Sequence, residues 1–171
     1  MPFTRTSASA DTCVLSDFIA VGRPDLLWRL FPDGMWIDPG TTIELQVQFG
    51  ASILADLRTQ GCEPLIERGF EPVDYIEMAE IKSRRPALRH PDIACVVLAR
   101  MHGATCLSSD GAVRKTCRER GIPIAGQVGC LMEAVDRRLL TRARAQDLLR
   151  AFLANGLYLP ASVVAGFLRD A

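Results

Sequence analysis

The sequence predicts an α/β domain in which helices cover both faces of a parallel sheet. Two observations support this fold class: short strand-like runs alternate with longer helical runs up to Ala125, and the remainder is helical. With 171 residues, 49% hydrophobic and 23% charged, the chain is long enough for one buried core and lacks a disordered composition. We therefore expect a single domain over residues 1–171, with an α/β core at 1–127 and C-terminal helices at 128–171.

The first half of the chain contains three predicted strands, at Ser7–Ala10, Met35–Ile37 and Val73–Ile76. The first strand is the weakest of them, because serine and alanine replace the β-branched residues that strands favour. The helices predicted in this half are Thr12–Val21, Pro24–Phe31 and Ile43–Leu57. Pro24 suits the start of a helix, where its missing backbone N–H is harmless.

The second half begins with the most apolar predicted helix, Pro91–His102, which is closed by Gly103. Two more strands are predicted, at Thr105–Ser108 and Ile122–Ala125, with a helix at Gly111–Arg120 between them. The remaining helices are Val128–Leu139, Arg142–Asn155 and Ala161–Arg169.

Charge does not mark the whole molecule as a nucleic-acid-binding polycation, because the formal net charge is +0. The distribution is nevertheless uneven, with nine basic and four acidic residues between Arg114 and Arg150. A local basic face is one interpretation of this run. A solvated, arginine-rich helix face is the plainer one, and it is favoured.

The 6 cysteines form no CxxC pair and have no histidine nearby at zinc-ligand spacing. Free thiols in a reducing compartment are therefore expected. The N-terminus lacks the apolar segment of a secretory signal, and no apolar run approaches the ~20 residues of a membrane span. We expect a cytoplasmic protein without membrane partners.

Four acidic residues lie where a predicted strand gives way to a helix: Asp11, Glu44, Asp92 and Asp110. In a parallel open sheet such junctions share one edge, the edge at which ligands bind. Carboxylates gathered there repel one another and raise one another's pKa values, which a divalent cation relieves. Mg²⁺ and Mn²⁺ take oxygen ligands and can activate water for attack on a phosphodiester.

Helix capping is the competing explanation for each acid taken alone. Thr41 and Glu44 have the spacing of a capping box, Asp110 suits an N-cap, and Asp92 suits the first turn after Pro91. The set favours a metal site, because serine or threonine would cap a helix without mutual repulsion. The two histidines, His90 and His102, fit no catalytic triad pattern.

Several segments resemble the PIN-domain family in order and spacing. Asp11–Leu15 (DTCVL) resembles the opening strand–helix junction of these domains, and Ser108–Asp110 resembles the segment that carries their last acid. His90–Ile93 is similar to the segment of the third acid, and Glu44 lies where the second acid is found. The C-terminal run from Gly121 is similar to a VapC-like, uncharacterised PIN branch.

The resemblance implies a three-layer α/β/α PIN-like fold with a central, mostly parallel sheet and a C-terminal helical hairpin. It also implies a Mg²⁺- or Mn²⁺-dependent ribonuclease acting on single-stranded RNA, often the toxin paired with an antitoxin protein and commonly a homodimer. Carried over by position, Asp11, Glu44, Asp92 and Asp110 would be the catalytic metal ligands, and Ser108 a supporting hydroxyl.

Cys13 departs from the family pattern, since asparagine or serine usually stands there and a thiol is a weak hydrogen-bonding substitute. This departure favours a second hypothesis, a catalytically weakened PIN-like domain that binds a protein or nucleic acid. A phosphohydrolase acting on small phosphate esters is a third, but DTCVL lacks the D-x-D-x-T/V motif expected of it.

Three basic residues after Asp110 are candidates to contact RNA phosphates: Arg114, Lys115 and Arg118. A solvated helix face is an equally good interpretation of them. Three aromatic residues could stack on bases, but their apolar neighbours favour positions in the core: Trp28, Phe31 and Trp36.

Overall fold

The computed structural model describes residues 3–169. Within that range the chain forms one five-stranded sheet in the order β3-β2-β1-β4-β5, with every neighbouring pair parallel. The strands are β1 (Ser7–Ala10), β2 (Gly34–Ile37), β3 (Leu65–Glu67), β4 (Thr105–Leu107) and β5 (Ile124–Ala125). An α/β fold with a parallel sheet is confirmed.

Ten helices connect and cover the strands in the described range. The first five are α1 (Thr12–Ala20), α2 (Asp25–Leu30), α3 (Pro39–Phe49), α4 (Ile53–Thr59) and α5 (Pro72–Arg84). The others are α6 (His90–His102), α7 (Gly111–Glu119), α8 (Gln127–Asp136), α9 (Arg142–Ala154) and α10 (Ala161–Arg169). None of these helices has the length and apolar character needed to cross a bilayer.

Two hydrophobic clusters separate the helices into layers on the two faces of the sheet. One cluster joins α1, α2, α8, α9 and α10 to the sheet, and the other joins α5, α6 and α7 to it. Adjacent residues of β4 belong to different clusters, Cys106 to the second and Leu107 to the first. This alternation is what a strand buried on both faces requires, and it gives the three-layer α/β/α arrangement.

The first strand occupies the centre of the sheet at the predicted bounds, despite its small residues. Ala8 and Ala10 face the first cluster, while the hydroxyl of Ser9 donates a hydrogen bond to the carbonyl of Cys95 on α6. Ser9 is completely buried. Small side chains in β1 therefore allow α6, which is buried from Ile93 to Ala99, to pack directly over the centre of the sheet.

Two sequence-based predictions are wrong. Val73–Ile76 is not a strand but part of α5, which begins at Pro72 and is fixed by a hydrogen bond from the Glu71 N–H to Asp74. The third strand is instead β3 (Leu65–Glu67), which the sequence analysis did not predict. The predicted helix Ile43–Leu57 is two helices, α3 and α4, because the chain turns at Gly50 with φ of 103°.

The C-terminal helices share the core of the sheet. The rings of Phe18 on α1 and Phe152 on α9 meet edge to face with centroids 5.0 Å apart, and both are almost fully buried. Helices α8 and α9 also pack against each other. The helices of the predicted C-terminal hairpin are thus part of the hydrophobic core.

Phe152→Ala is expected to lower the free energy of unfolding by about 3–5 kcal/mol, because it leaves a cavity between α1 and α9. Urea denaturation followed by circular dichroism measures the change. Tyr158→Ala, at a side chain 87% exposed, serves as the control and should shift stability little. Two separate unfolding transitions would contradict a shared core.

Candidate functional site

Asp11 lies at the carboxyl end of the central strand and is the N-cap of α1. Its Oδ1 accepts a hydrogen bond from the Val14 N–H at 3.0 Å, and the side chain is only 3% exposed. The pKa of Asp11 is raised to about 6, chiefly by burial; the nearby Asp92 and Asp110 carboxylates contribute to the rise, while hydrogen bonds from Ser108 and Val14 oppose it. A carboxylate therefore sits in a place that disfavours its charge.

Ser108 links Asp11 to Asp110. Its hydroxyl hydrogen-bonds the Asp11 carboxylate and accepts the Asp110 N–H at 3.2 Å. Asp110 is exposed and caps α7, where its Oδ1 accepts the N–H groups of Ala112 at 2.7 Å and Val113 at 2.9 Å. The capping explanation and the placement beside Asp11 both apply to Asp110.

Glu44 does not begin its helix. The N-cap of α3 is Asp38, whose carboxylate accepts the N–H groups of Gly40 and Thr41, so the predicted Thr41–Glu44 capping box is wrong. Glu44 instead projects from the second turn of α3 toward α1, where the Thr12 hydroxyl donates to its Oε2. Its carboxylate is consequently held next to the end of β1.

Arg89 joins two of the four acids. Its Nη1 lies 2.8 Å from Oε1 of Glu44, and its Nη2 lies 3.6 Å from Oδ1 of Asp92. Asp92 also accepts the backbone N–H of Arg89 at 2.9 Å, which forms the capping box at the start of α6. The Arg89 side chain is 57% exposed. A protein cation therefore already neutralises part of the acidic set.

The structure thus brings the four predicted acids to the same edge of the sheet. Asp92 and Asp110 lie close enough to Asp11 for their charges to raise its pKa, and Glu44 is tied to Asp92 through Arg89. As the side chains stand in residues 3–169, no group of three or more His, Cys, Asp or Glu is placed to hold a metal ion. Ion binding at these acids would require their side chains to move.

An open cleft of about 720 Å³, termed the site cleft, lies beside these acids. Its walls come from α1, α3, the start of α7, the start of α8 and the α9–α10 loop. The polar and aromatic side chains that line it include Thr12, Cys13, Asp17, Glu44, Arg89, Ser109, Asp110, Gln127 and Tyr158.

Two polar residues of the cleft were not singled out by the sequence analysis. Gln127, at the start of α8, donates from Nε2 to Oδ2 of Asp17 at 2.6 Å, and Gln127 is only 1% exposed. Burial raises the pKa of Asp17. The two residues are 110 positions apart, so no local pattern could have indicated their contact.

Cys13 also lines the cleft. Cys13 is an exposed residue, but partial desolvation of its thiol, followed by the charge of Asp11, raises the pKa of Cys13 to about 11. The thiol is therefore neutral at pH 7 and adds no negative charge to the acidic edge.

The predicted RNA-contacting residues separate in the structure. Arg114 is half-buried and lies over Gly126, where a Cβ atom would meet its Nη1 at 3.4 Å. Lys115 and Arg118 are exposed on α7 and do not line the site cleft. Only Arg114 is thus positioned beside the carboxyl edge of the sheet.

The aromatic residues considered earlier are mainly core residues. Trp28 and Phe31 are 5% and 0% exposed, which confirms the core interpretation. Trp36 is half-buried and stacks on His102, with ring centroids 3.5 Å apart. The exposed aromatic residue at the cleft is Tyr158, which the sequence analysis did not identify.

Comparison with protein families places the chain. A family model described as a PIN domain (DUF3368) covers residues 8–171. No curated protein matches the chain significantly. The match confirms the family that the segments around Asp11 and Asp110 resemble.

Asp11→Asn is expected to stabilise the protein in EDTA at neutral pH. The folded-state pKa of about 6 exceeds the ordinary value of 3.8. Ionisation of Asp11 therefore lowers the free energy of unfolding by about 3 kcal/mol at a pH where Asp11 is ionised in both the folded and the unfolded protein. The stability gained by the variant should be absent below pH 3.8, grow as pH rises toward 6, and stay constant above it. Urea denaturation of both proteins across this range measures it; an Asn variant that is less stable at pH 7 contradicts the burial argument.

Arg89→Ala is expected to raise the affinity for Mn²⁺ by up to about fivefold, because it removes a cation that competes for Glu44 and Asp92. Isothermal titration calorimetry with MnCl₂ measures the change. Arg100→Ala is the matched control, since Arg100 pairs with Glu77 at 2.7 Å away from the site cleft. Unchanged or weaker Mn²⁺ binding in Arg89→Ala would show that this ion pair does not compete with a metal.

Proposed function

Because the chain belongs to the PIN-domain family, whose members are typically nucleases, we propose that it is a metal-dependent endoribonuclease cleaving single-stranded RNA. The observation that supports this most is the position of Asp11 at the carboxyl edge of the sheet, close enough to Asp92 and Asp110 for their charges to raise its pKa. A buried carboxylate next to two other acids is costly for folding alone, and such costs concentrate at functional sites.

PIN domains generally use divalent metals, and the donor chemistry of this edge suits Mg²⁺ or Mn²⁺. All four acids offer carboxylate oxygens, the preferred ligands of these hard cations. Asp11, Asp92 and Asp110 would hold the ion, and Glu44 would join them once Arg89 releases it. Such an ion supplies a Lewis acid and an activated water for hydrolysis of a phosphodiester.

The protein groups around the acids have separate tasks in this proposal. Ser108 orients Asp11 through its hydroxyl, and Thr12 orients Glu44. Arg114 places a positive charge beside the cleft for a phosphate of the RNA. The cleft is open at the surface, which allows a flexible strand to lie along it without unfolding any element of the core.

The biological setting proposed is that of a cytoplasmic toxin, restrained by an antitoxin protein and active as a homodimer. An exposed carboxylate such as Asp110 and an exposed guanidinium such as Arg89 leave polar groups accessible to a protein partner.

A second candidate function is a binding module without strong catalysis. The ion pairs of Arg89 with Glu44 and Asp92 favour it, because they satisfy two acids without a metal. Cys13 favours it as well, since the thiol replaces the usual polar residue after Asp11 and Thr12.

Cleavage of a mixed pool of single-stranded RNA with Mn²⁺ tests the nuclease proposal. The wild type should cleave, EDTA should abolish cleavage, and Asp11→Asn and Asp110→Asn should each lower the rate by about a hundredfold or more. Asp147→Asn is the matched control, because Asp147 is an exposed acid that pairs with Arg150 on α9.

A wild type that is inert with Mn²⁺ and Mg²⁺ yet binds RNA or a protein would support the binding module. Activity that survives EDTA or both substitutions would come from another site or a contaminant, and the four-acid proposal would fall.

A further inference from the structure

A second depression, termed the apolar groove, adjoins the site cleft. It measures about 500 Å³ and lies between β5, the start of α8 and the chain around α10. Its apolar walls include Ile124, Val128, Leu159 and Val163. Three residues line both depressions, namely Ser109, Gln127 and Tyr158. The groove therefore continues directly from the cleft that contains Glu44 and Asp110.

Tyr158 stands where the two depressions meet. It follows α9, and its side chain is 87% exposed, so most of its ring is available to a ligand. An aromatic ring that is free on its faces and lies beside an apolar wall suits a planar partner. Neither Trp28 nor Phe31 could serve this purpose, because both are buried.

Gln127 adds an unsatisfied hydrogen-bond acceptor to the same junction. Its Nε2 is used by Asp17, whereas its buried Oε1 has no hydrogen-bond donor among the residues that the structure describes. Turning the amide would place Oε1 against the Asp17 carboxylate, so the hydrogen bond to Asp17 fixes the orientation. A buried acceptor without a donor is costly, and an N–H from a ligand would satisfy it.

Arg114 contributes positive charge to the groove. Its side chain is half-buried among the lining residues and forms no ion pair within residues 3–169. A ligand that satisfies the whole junction is therefore planar and apolar on its faces, carries N–H donors on its edge, and is attached to a negative charge.

We propose that the apolar groove is a nucleobase subsite, which holds one unstacked base of the RNA strand whose backbone crosses the site cleft. Tyr158 stacks on the base, Gln127 Oε1 accepts an N–H from its edge, and Arg114 binds the adjoining phosphate. This subsite rests on the proposed nuclease function and extends it, because it gives a reason for the proposed preference for single-stranded RNA: a paired base cannot enter the groove.

Binding to fluorescein-labelled octamers of riboadenosine, measured by fluorescence anisotropy in EDTA, tests the subsite without cleavage. Tyr158→Ala should weaken binding about tenfold, while Tyr158→Phe, which keeps the ring, should bind as the wild type does. An octamer with the same sugar–phosphate backbone but no bases should bind the wild type and Tyr158→Ala equally. Tyr75→Ala, at another exposed tyrosine located on α5, is the matched control and should change nothing.

Arg114→Ala should weaken binding of both octamers and reduce the salt dependence of binding by about one phosphate contact. The subsite is overturned if Tyr158→Ala binds the adenosine octamer as tightly as the wild type. This is the result expected if the groove binds a protein segment instead. It is also overturned if Tyr158→Ala weakens the base-free octamer equally.

Failure of the subsite and failure of the nuclease proposal give different results. A protein that cleaves RNA with Mn²⁺ but shows no effect of Tyr158→Ala on binding lacks the subsite and keeps the activity. A protein that binds bases through Tyr158 but never cleaves keeps the subsite and is a binding module.

Discussion

The burial of one carboxylate, that of Asp11, governs the organisation of this molecule. Asp11 ends the central strand, caps α1, and accepts hydrogen bonds from Val14 and Ser108. These bonds offset only part of the cost of burial, since its pKa remains raised to about 6. The sheet around it is parallel, so the neighbouring strand β4 delivers Ser108 and Asp110 to the same edge. The local topology therefore concentrates negative charge at one place, which only a cation or a proton can relieve.

Arg89 and a divalent ion are alternative cations that could neutralise these acids. Arg89 already pairs with Glu44 and Asp92, while Asp11 and Asp110 lack such a partner among the described ion pairs. Arg89 is part of the chain and keeps 57% of its side chain in solvent. It cannot activate water, however. Under the nuclease proposal, the balance between the two cations decides whether the domain acts as a catalyst or as a binder.

Local sequence patterns correctly predicted the elements that have a distinctive composition or a distinctive boundary. The alternation of strands and helices predicted the junctions at Asp11 and Asp110, and the apolar run of α6 predicted a buried helix. The apolar residues of Val73–Ile76 predicted a strand, but these lie on α5 and are largely exposed, with Val73 at 68% and Ile76 at 71%. Glu44 was placed at a junction although Asp38 starts its helix. The contacts of Gln127 with Asp17 and of Arg89 with Glu44 join distant segments, and no spacing in a single sequence indicates them.

The α9–α10 loop with Tyr158 lies outside the sheet that carries the acids. It is held in place from behind, where Arg142 and Gln146 of α9 donate hydrogen bonds to the carbonyl of Phe167 on α10. Under the base-subsite proposal, the part of the molecule that selects a ligand is built separately from the part that performs chemistry. Insertions or substitutions in this loop would allow descendants of the chain to diverge in target while inheriting an unaltered set of carboxylates.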